Sequence, residues 1–277
     1  MADSNYGNLY WRVFSGCNLN CSMCLREHNT KKVKGYESKL LKQAKSLGFS
    51  TIVFTGGEPT LREDLLELSH MTHANRLNVR IDTNGINLTR KFLFSVKNYL
   101  YLLGLPLHGS NSELHDSIVG MNGHFDIVAD RAEMARDLEI PLKITTAVTR
   151  ENIGDIENIA KYLSRVINPN IYGINGVVKR SLNSELFEKM KISEGEFDEM
   201  RKKLIGQDYP FKLSFCSGHK ESDRAYIFVN PDFTVTIPAG DSEENIGDLK
   251  SEDLESIMKR AKLNQELHLE RSRATSL

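Results

Sequence analysis

The stretch SGCNLNCSMCLR, residues 15–26, places Cys17, Cys21 and Cys24 inside a run of eight residues. The chain has 277 residues and four cysteines, and the fourth, Cys216, stands far away in sequence. The run follows an apolar segment that reads as a strand, LYWRVF (9–14), and it lacks helical periodicity. It is therefore expected to be a loop that wraps around something. A structural zinc site is closed by four ligands, usually from two knuckles. Here the second knuckle is missing, and His28 would be a local fourth ligand at an unusual spacing. A [4Fe–4S] cluster also has four corners, normally held by four thiolates, so three thiolates would leave one iron open to an exchangeable ligand. The third alternative is three thiols without a metal, which would be an oxidation liability.

The rest of the composition narrows the setting. There are 36 Lys and Arg against 37 Asp and Glu, a net charge of −1, so there is no strong nonspecific pull toward nucleic acid or an acidic membrane. No apolar run approaches the roughly 20 residues needed to span a bilayer. The first residues, MADSNYGNLYW, lack the basic and apolar regions of a signal peptide. The expectation is a cytoplasmic protein with no membrane partner and no evident nucleic-acid binding. In that reducing compartment clustered cysteines point to metal or redox chemistry rather than to disulfides.

Outward from the cysteines, short β-branched or apolar runs alternate with helical patterns. Strands are expected at 9–14, 51–57 (TIVFTGG), 78–85 (NVRIDTNG), 99–109 (YLYLLGLPLHG), 141–149 (PLKITTAVT) and 171–179 (IYGINGVVK). Helices are expected at 36–48, 62–74, 124–138 and 153–167. Six strand–helix units in about 180 residues predict a parallel sheet with right-handed crossovers. Beyond them, SEGEFDEMRKKLIG (193–206) reads as a helix with a capping box of Ser193 and Glu196. AYIFVN (225–230) and TVTIP (234–238) read as a hairpin. SEDLESIMKRAK (251–262) reads as a last helix capped by Ser251, and the polar ERSRATSL (270–277) as a frayed end. No linker separates independent domains. The division read from the pattern is a barrel over 1–190 and a small extension over 191–277.

A second motif, TGGEPTL (55–61), ends the second strand. Its glycines allow a close backbone approach, Glu58 offers a carboxylate, and Pro59 fixes the following turn. Together, CNLNCSMC and GGEP resemble the cluster loop and the methionine-binding motif of the radical S-adenosylmethionine (SAM) superfamily, over about residues 7–180. The resemblance implies an α/β fold, a partial (β/α)6 barrel, with a C-terminal β-hairpin plus helix. It implies one [4Fe–4S] cluster on Cys17, Cys21 and Cys24, with SAM at the open iron. Cleavage of SAM would then yield a 5′-deoxyadenosyl radical that abstracts hydrogen from a substrate. Gly56, Gly57 and Glu58 would hold the SAM ammonium, beside Pro59. Met23, where relatives commonly carry an aromatic residue, would lie near the adenine. Asn84, Lys143, Thr145 and Val177, with Val178, would complete the cofactor site from other strand ends. His108 is read as reaching substrate or as a structural histidine, and Asn152 as a helix cap. Lys179 and Arg180 are read as facing solvent or substrate.

The stretch FCSGHKESDRAYIFVNPDFTVTIPAGDSEENIGDL (215–249) resembles the twitch or SPASM extension of such enzymes. It has Pro238-Ala239 where those carry Pro-Cys, so it is expected to lack an auxiliary cluster, even with His219 and Asp241 nearby. Cys216 is then a buried structural residue. The expected substrate is a peptide or a small organic molecule, with an electron donor such as flavodoxin or ferredoxin as partner. A viperin-like action on a nucleotide is the alternative within the family. A noncatalytic iron–sulfur or zinc-binding module is the alternative outside it.

Overall fold

The computed structural model describes residues 6–24, 32–180 and 184–277; His28 lies outside the described residues, as does the side chain of His219. Ten strands form one sheet: β1 (Asn8–Phe14), β2 (Thr51–Gly56), β3 (Asn78–Asp82), β4 (Leu100–Pro106), β5 (Leu142–Val148), β6 (Ile171–Gly176), β7 (Lys212–Cys216), β8 (Phe228–Val229), β9 (Thr234–Ala239) and β10 (Ser242–Asp248). The order is β10-β9-β8-β1-β2-β3-β4-β5-β6-β7. Strands β1 to β7 are parallel, β8 runs parallel to β1, and β9 and β10 are antiparallel additions. Tyr10 of β1, Lys143 of β5 and Ser214 of β7 line one cavity although their strands lie several places apart in the sheet. The sheet is therefore curled into a barrel, left open because β7 and β10 remain edges.

The helices are α1 (Glu37–Ser46), α2 (Leu65–Ala74), α3 (Arg90–Val96), α4 (Ser112–Val119), α5 (His124–Asp137), α6 (Ile156–Tyr162), α7 (Ser184–Met190), α8 (Glu194–Ile205), α9 (His219–Ser222), α10 (Leu254–Arg260) and α11 (Gln265–Ala274). Period-two alternation explains how the barrel is dressed. In β1, Leu9, Trp11 and Val13 are fully buried in the apolar core, which also takes Leu40, Leu41 and Ala44 of α1. Tyr10 and Arg12 lie on the other face and line the interior cavities.

Most of the expected units are present, and the capping box of α8 is made as expected, with Glu196 N–H donating to Ser193 and Ser193 N–H to Glu196. The C-terminal region differs in four ways. KLSFC forms β7, extending the parallel run beyond six strands. Residues 242–248, which carry no strand pattern in the sequence, form the edge strand β10. Asp253, not Ser251, is the residue before α10, and the Ser251 hydroxyl instead donates to the Asp248 carbonyl in a turn. ERSRATSL is not frayed. It belongs largely to α11, whose polar side chains close the barrel floor: Ser272 Oγ accepts the Asn8 N–H (2.9 Å), His268 Nε2 accepts the Gly7 N–H (3.3 Å), and the Thr275 carbonyl accepts from Arg80 (3.2 Å).

Behind the cysteine loop, Arg62 binds three elements together while only 2% exposed. It donates to the Val13 carbonyl (3.2 Å), to Glu37 of α1 (3.0 Å) and to Asp64 (2.7 Å and 3.1 Å). The hydrogen bond from Arg62 holds the Asp64 carboxyl down at about 2. Removing the guanidinium strands the partly buried Glu37 and Asp64, so Arg62→Met is expected to lower the unfolding free energy by about 3–5 kcal/mol at neutral pH, measured by urea denaturation. A depressed native pKa contributes stability above the unfolded value and loses it as pH falls through the native one. The gap between wild type and Arg62→Met should therefore narrow as pH is lowered from about 3.8 toward about 2.

Candidate active site

The cysteine loop and the glycine turn are clasped backbone to backbone. Gly57 N–H donates to the Phe14 carbonyl (2.7 Å) and Glu58 N–H to the Gly16 carbonyl (2.8 Å). Gly56 sits at φ +128°, and a Cβ on Gly57 would overlap the Gly16 carbonyl oxygen. The close approach that demands glycine here is thus to the cysteine loop itself. Pro59 opens a single 3-10 turn, Pro59–Leu61, with Glu58 as its cap.

Glu58 is 1% exposed. One carboxylate oxygen accepts from Thr60 N–H (2.9 Å), Thr60 Oγ1 (2.6 Å) and Thr83 Oγ1 (2.6 Å), and the other accepts from Asn84 N–H (2.7 Å). This carboxylate joins the end of β2 to the loop after β3. Asn84, so placed, reaches the first cysteine: its Nδ2 lies 3.7 Å from Cys17 Sγ and 2.7 Å from Asn18 Oδ1. Leu19 N–H also donates to Cys17 Sγ (3.4 Å).

Cys17, Cys21 and Cys24 all line one cavity of about 290 Å³, together with Gly57, Glu58, Asn84, His108 and Thr145. None of the described cysteines is in a disulfide. Among the described residues no three His, Cys, Asp or Glu side chains converge as they would around a single ion. Thiolates that bind separate corners of a cubane need not converge. The donor set, three thiols on one loop facing a shared space, fits a cluster and does not complete a zinc site. Cys216 is in β7, on the wall of a different cavity, and none of the three loop cysteines lines that space.

The other expected site residues fall into two groups. Met23 and Val177 share a small apolar cluster with Ile118 and Met190, which the partly buried Cys21 flanks. Thr145 lines both the thiol cavity and a deeper one of about 240 Å³; Lys143 and Val178 line only the deeper one. Lys143 is 3% exposed, and Gly173 on β6 makes room for it, since a Cβ there would come within 2.8 Å of its Cε. Burial first, then Arg80 nearby, pushes the Lys143 ammonium down to about 7. Asn152 is buried and structural, donating to the His108 and Ala147 carbonyls (2.9 and 3.0 Å). Lys179 pairs with Asp241 (3.3 Å) on the protein's exterior.

The histidine chain behind His108, together with Asp82, Asn175 and Arg271, escaped the sequence reading. His108 is fixed by accepting the Ala147 N–H at Nδ1 (3.2 Å). Its backbone N–H donates to His115 Nδ1 (2.9 Å), which places the His115 proton on Nε2 and orients a chain from His115 to His124 (2.7 Å) and on to the Asn84 carbonyl (3.0 Å). Burial and the other two histidines lower His108 to about 3, so it faces the cavity neutral. Asp82 is paired in two places with Arg80 (2.8 and 2.7 Å), and Gly104 of β4 is required because a Cβ there would overlap Asp82. Asn175 joins Asp82 in lining all three interior cavities. Arg271 enters from α11 and donates to the Phe215 carbonyl. The available signal was charge at every second position in otherwise apolar β3.

Comparison with known proteins gives the family. Residues 11–163 match the radical SAM superfamily, and the chain belongs to that family. The family uses a [4Fe–4S] cluster and SAM. An AdoMet-dependent heme synthase of Methanosarcina barkeri is 30% identical over 166 residues, covering 56% of this chain and 47% of that protein. The chain thus spans about half the length of that relative. An S-adenosylmethionine-dependent nucleotide dehydratase of Flammeovirga pacifica is 27% identical over 241 residues, covering 80% of this chain and 79% of its own. Among solved structures, Streptococcus suis SuiB bound to S-adenosylmethionine shares the fold at TM-score 0.74 and 16% identity, over 94% of this chain and 67% of its own.

The clasp yields a direct test. Gly57→Ala should push the cysteine loop off β2, so that iron taken up on anaerobic reconstitution falls several-fold while the far-ultraviolet circular dichroism of the barrel is kept.

Proposed function

We propose that this chain is a radical SAM enzyme that cleaves SAM at a [4Fe–4S] cluster held by Cys17, Cys21 and Cys24 and abstracts hydrogen from a small organic substrate inside the barrel. The observation that carries the reading is the shared cavity: three thiols and the Gly57–Glu58 turn face one space, whose walls at Asp82 and Asn175 also bound the two neighbouring interior cavities. Bound there, a [4Fe–4S] cluster on Cys17, Cys21 and Cys24 would supply the electron for reductive cleavage of SAM and so the hydrogen-abstracting chemistry. An electron donor protein such as flavodoxin or ferredoxin would feed it.

The chain's own residues then have separate tasks. Gly56 and Gly57 present backbone to the SAM ammonium. Glu58 holds the turn in place and lends its remaining lone-pair capacity. Asn84 holds the Cys17 sulfur. Met23 and Val177 give an apolar wall for the adenine, and Thr145 bridges cofactor and substrate spaces. His108, neutral and pinned at Nδ1, carries its proton on Nε2 and offers it to the cavity as a donor.

A peptide substrate is the second reading, and SuiB has been solved bound to the precursor peptide SuiA. That likeness is one of fold, at 14% identity. A small molecule fits this chain better, because α11 and the added strands close the barrel floor and flank under the interior cavities. The long match to a nucleotide dehydratase supports the same choice.

The test is anaerobic reconstitution followed by dithionite reduction. The expected outcome is about four irons per chain and conversion of SAM to 5′-deoxyadenosine. Cys21→Ala should abolish both, whereas Cys216→Ala should keep the iron. Zinc without iron, or a reduced cluster that leaves SAM intact, would overturn the reading.

A further inference from the structure

The two interior cavities beside the thiol cavity, the larger of which Cys24 also lines, have an uneven charge. Five cations line them, Arg12, Arg80, Lys143, Arg180 and Arg271, against two carboxylates, Asp82 and Glu243, an excess of three positive charges. Both carboxylates are already claimed: Glu243 by Arg12 (2.7 and 2.5 Å) and Asp82 by Arg80. Three cations are left without a dedicated counter-charge from the lining. Lys143 has no hydrogen-bond or ion-pair partner among the described residues, although it is almost wholly buried. The Nε atoms of Arg180 and Arg271 are buried without an acceptor. Arg180 otherwise donates to the Ser222 hydroxyl (2.8 Å); Arg271 reaches Glu270 (3.3 Å) and the Phe215 carbonyl outside the cavity, and Glu221 lies 3.9 Å away but is engaged by Arg201 and the Ser217 N–H, so Lys143 is the cation left wholly without a partner. A buried cation without a partner is costly, and such a cluster is explained if the partner arrives with the ligand.

The opposite wall is aromatic. Tyr10 meets Phe228 and Tyr226 at ring separations of 5.6 and 5.4 Å, and Tyr226 stacks on Phe228 at 6.1 Å. Arg12 lies over the Phe228 ring at 4.0 Å, which presents a flat, electron-rich and cationic surface. The volumes, about 380 and 240 Å³, together suit a drug-sized ligand.

We propose that this space is a nucleotide site, with the phosphate groups on Lys143, Arg180 and Arg271 and the base against Tyr10, Tyr226 and Phe228. The site names the substrate class for the radical chemistry proposed above and rests on that reading for its role in turnover, though not for binding. Phosphate oxygens satisfy the orphaned Arg Nε–H groups and neutralise Lys143. Tyr10 and Phe228 also line the larger cavity, which Cys24 reaches, whereas Lys143 and Arg271 line only the smaller one, so the ring-bearing part of the ligand lies on the side nearer the cysteine loop. Cys216 lines the same space and serves as a built-in reporter of occupancy.

The experiment uses the reconstituted, oxidised holoenzyme without reductant, so that nothing turns over. Titration calorimetry with ATP, CTP, GTP and UTP, with the matching nucleosides and with tripolyphosphate should show at least one triphosphate binding roughly tenfold or more tighter than its nucleoside and than tripolyphosphate. The same triphosphate should slow iodoacetamide labelling of Cys216, read by mass spectrometry. Lys143→Met and Arg180→Met should each weaken it by roughly 10- to 100-fold, and Lys202→Met, on the exposed face of α8, should not. Binding equal for nucleoside and nucleotide, equal for tripolyphosphate and nucleotide, absent for all four, or unchanged in both variants would overturn the assignment. SAM cleavage by the reduced enzyme with no second substrate is read separately. Cleavage without nucleotide binding refutes the site alone, and nucleotide binding without cleavage refutes the radical reading while keeping the site.

Discussion

The Glu58 carboxylate is the interaction on which the site depends. A buried carboxylate without partners is strongly disfavoured, and here four donors from two loops meet it. Those donors fix the turn after β2 against the loop after β3. The same turn gives its Gly57 and Glu58 N–H groups to the backbone that leads into the cysteines, and the same loop sends Asn84 to Cys17. Three strand ends become one rigid unit, and the thiols inherit their position from it. The histidine chain through His115 and His124 extends this unit to α4 and α5 by holding the Asn84 carbonyl.

The barrel interior follows from a second constraint. The outward face of the sheet carries the apolar core and the inward face carries charge, at alternate positions of the same strands. Interior charges need space, and the neighbouring strands yield it by glycine: Gly104 beside Asp82 and Gly173 beside Lys143. Glycine inside a strand costs stability, and here its absence of a side chain is what allows a polar chamber within a packed barrel. The C-terminal segment completes that chamber from both sides, with β7 pairing to β6 and β8 to β1.

The six-unit pattern, the cysteine loop and the glycine turn were legible because each leaves a local mark: periodicity, ligand spacing, or glycines at a strand end. The polar α11 was not legible. Its contacts to Asn8, Gly7 and Arg80 are hydrogen bonds to distant backbone and side chains, which no local apolar pattern announces. Strand β10, SEENIGD, is an exposed edge and carries no buried face to betray it. Glu58 was legible as important, but its engagement with Thr83 and Asn84 depends on β2 and β3 being neighbours, a tertiary fact. The position of Lys143 away from the thiols was hidden for the same reason: β5 spans both cavities, and only depth along the strand separates Lys143 from Thr145.

The central claim is that the three-cysteine loop leaves one iron open for SAM. Electron paramagnetic resonance of the reduced, reconstituted protein tests it most directly, recorded with and without SAM and in the Cys216→Ala variant. The account predicts a [4Fe–4S]⁺ signal that changes on SAM addition and is unaltered by loss of Cys216. A signal indifferent to SAM, or one that disappears in Cys216→Ala, would contradict it.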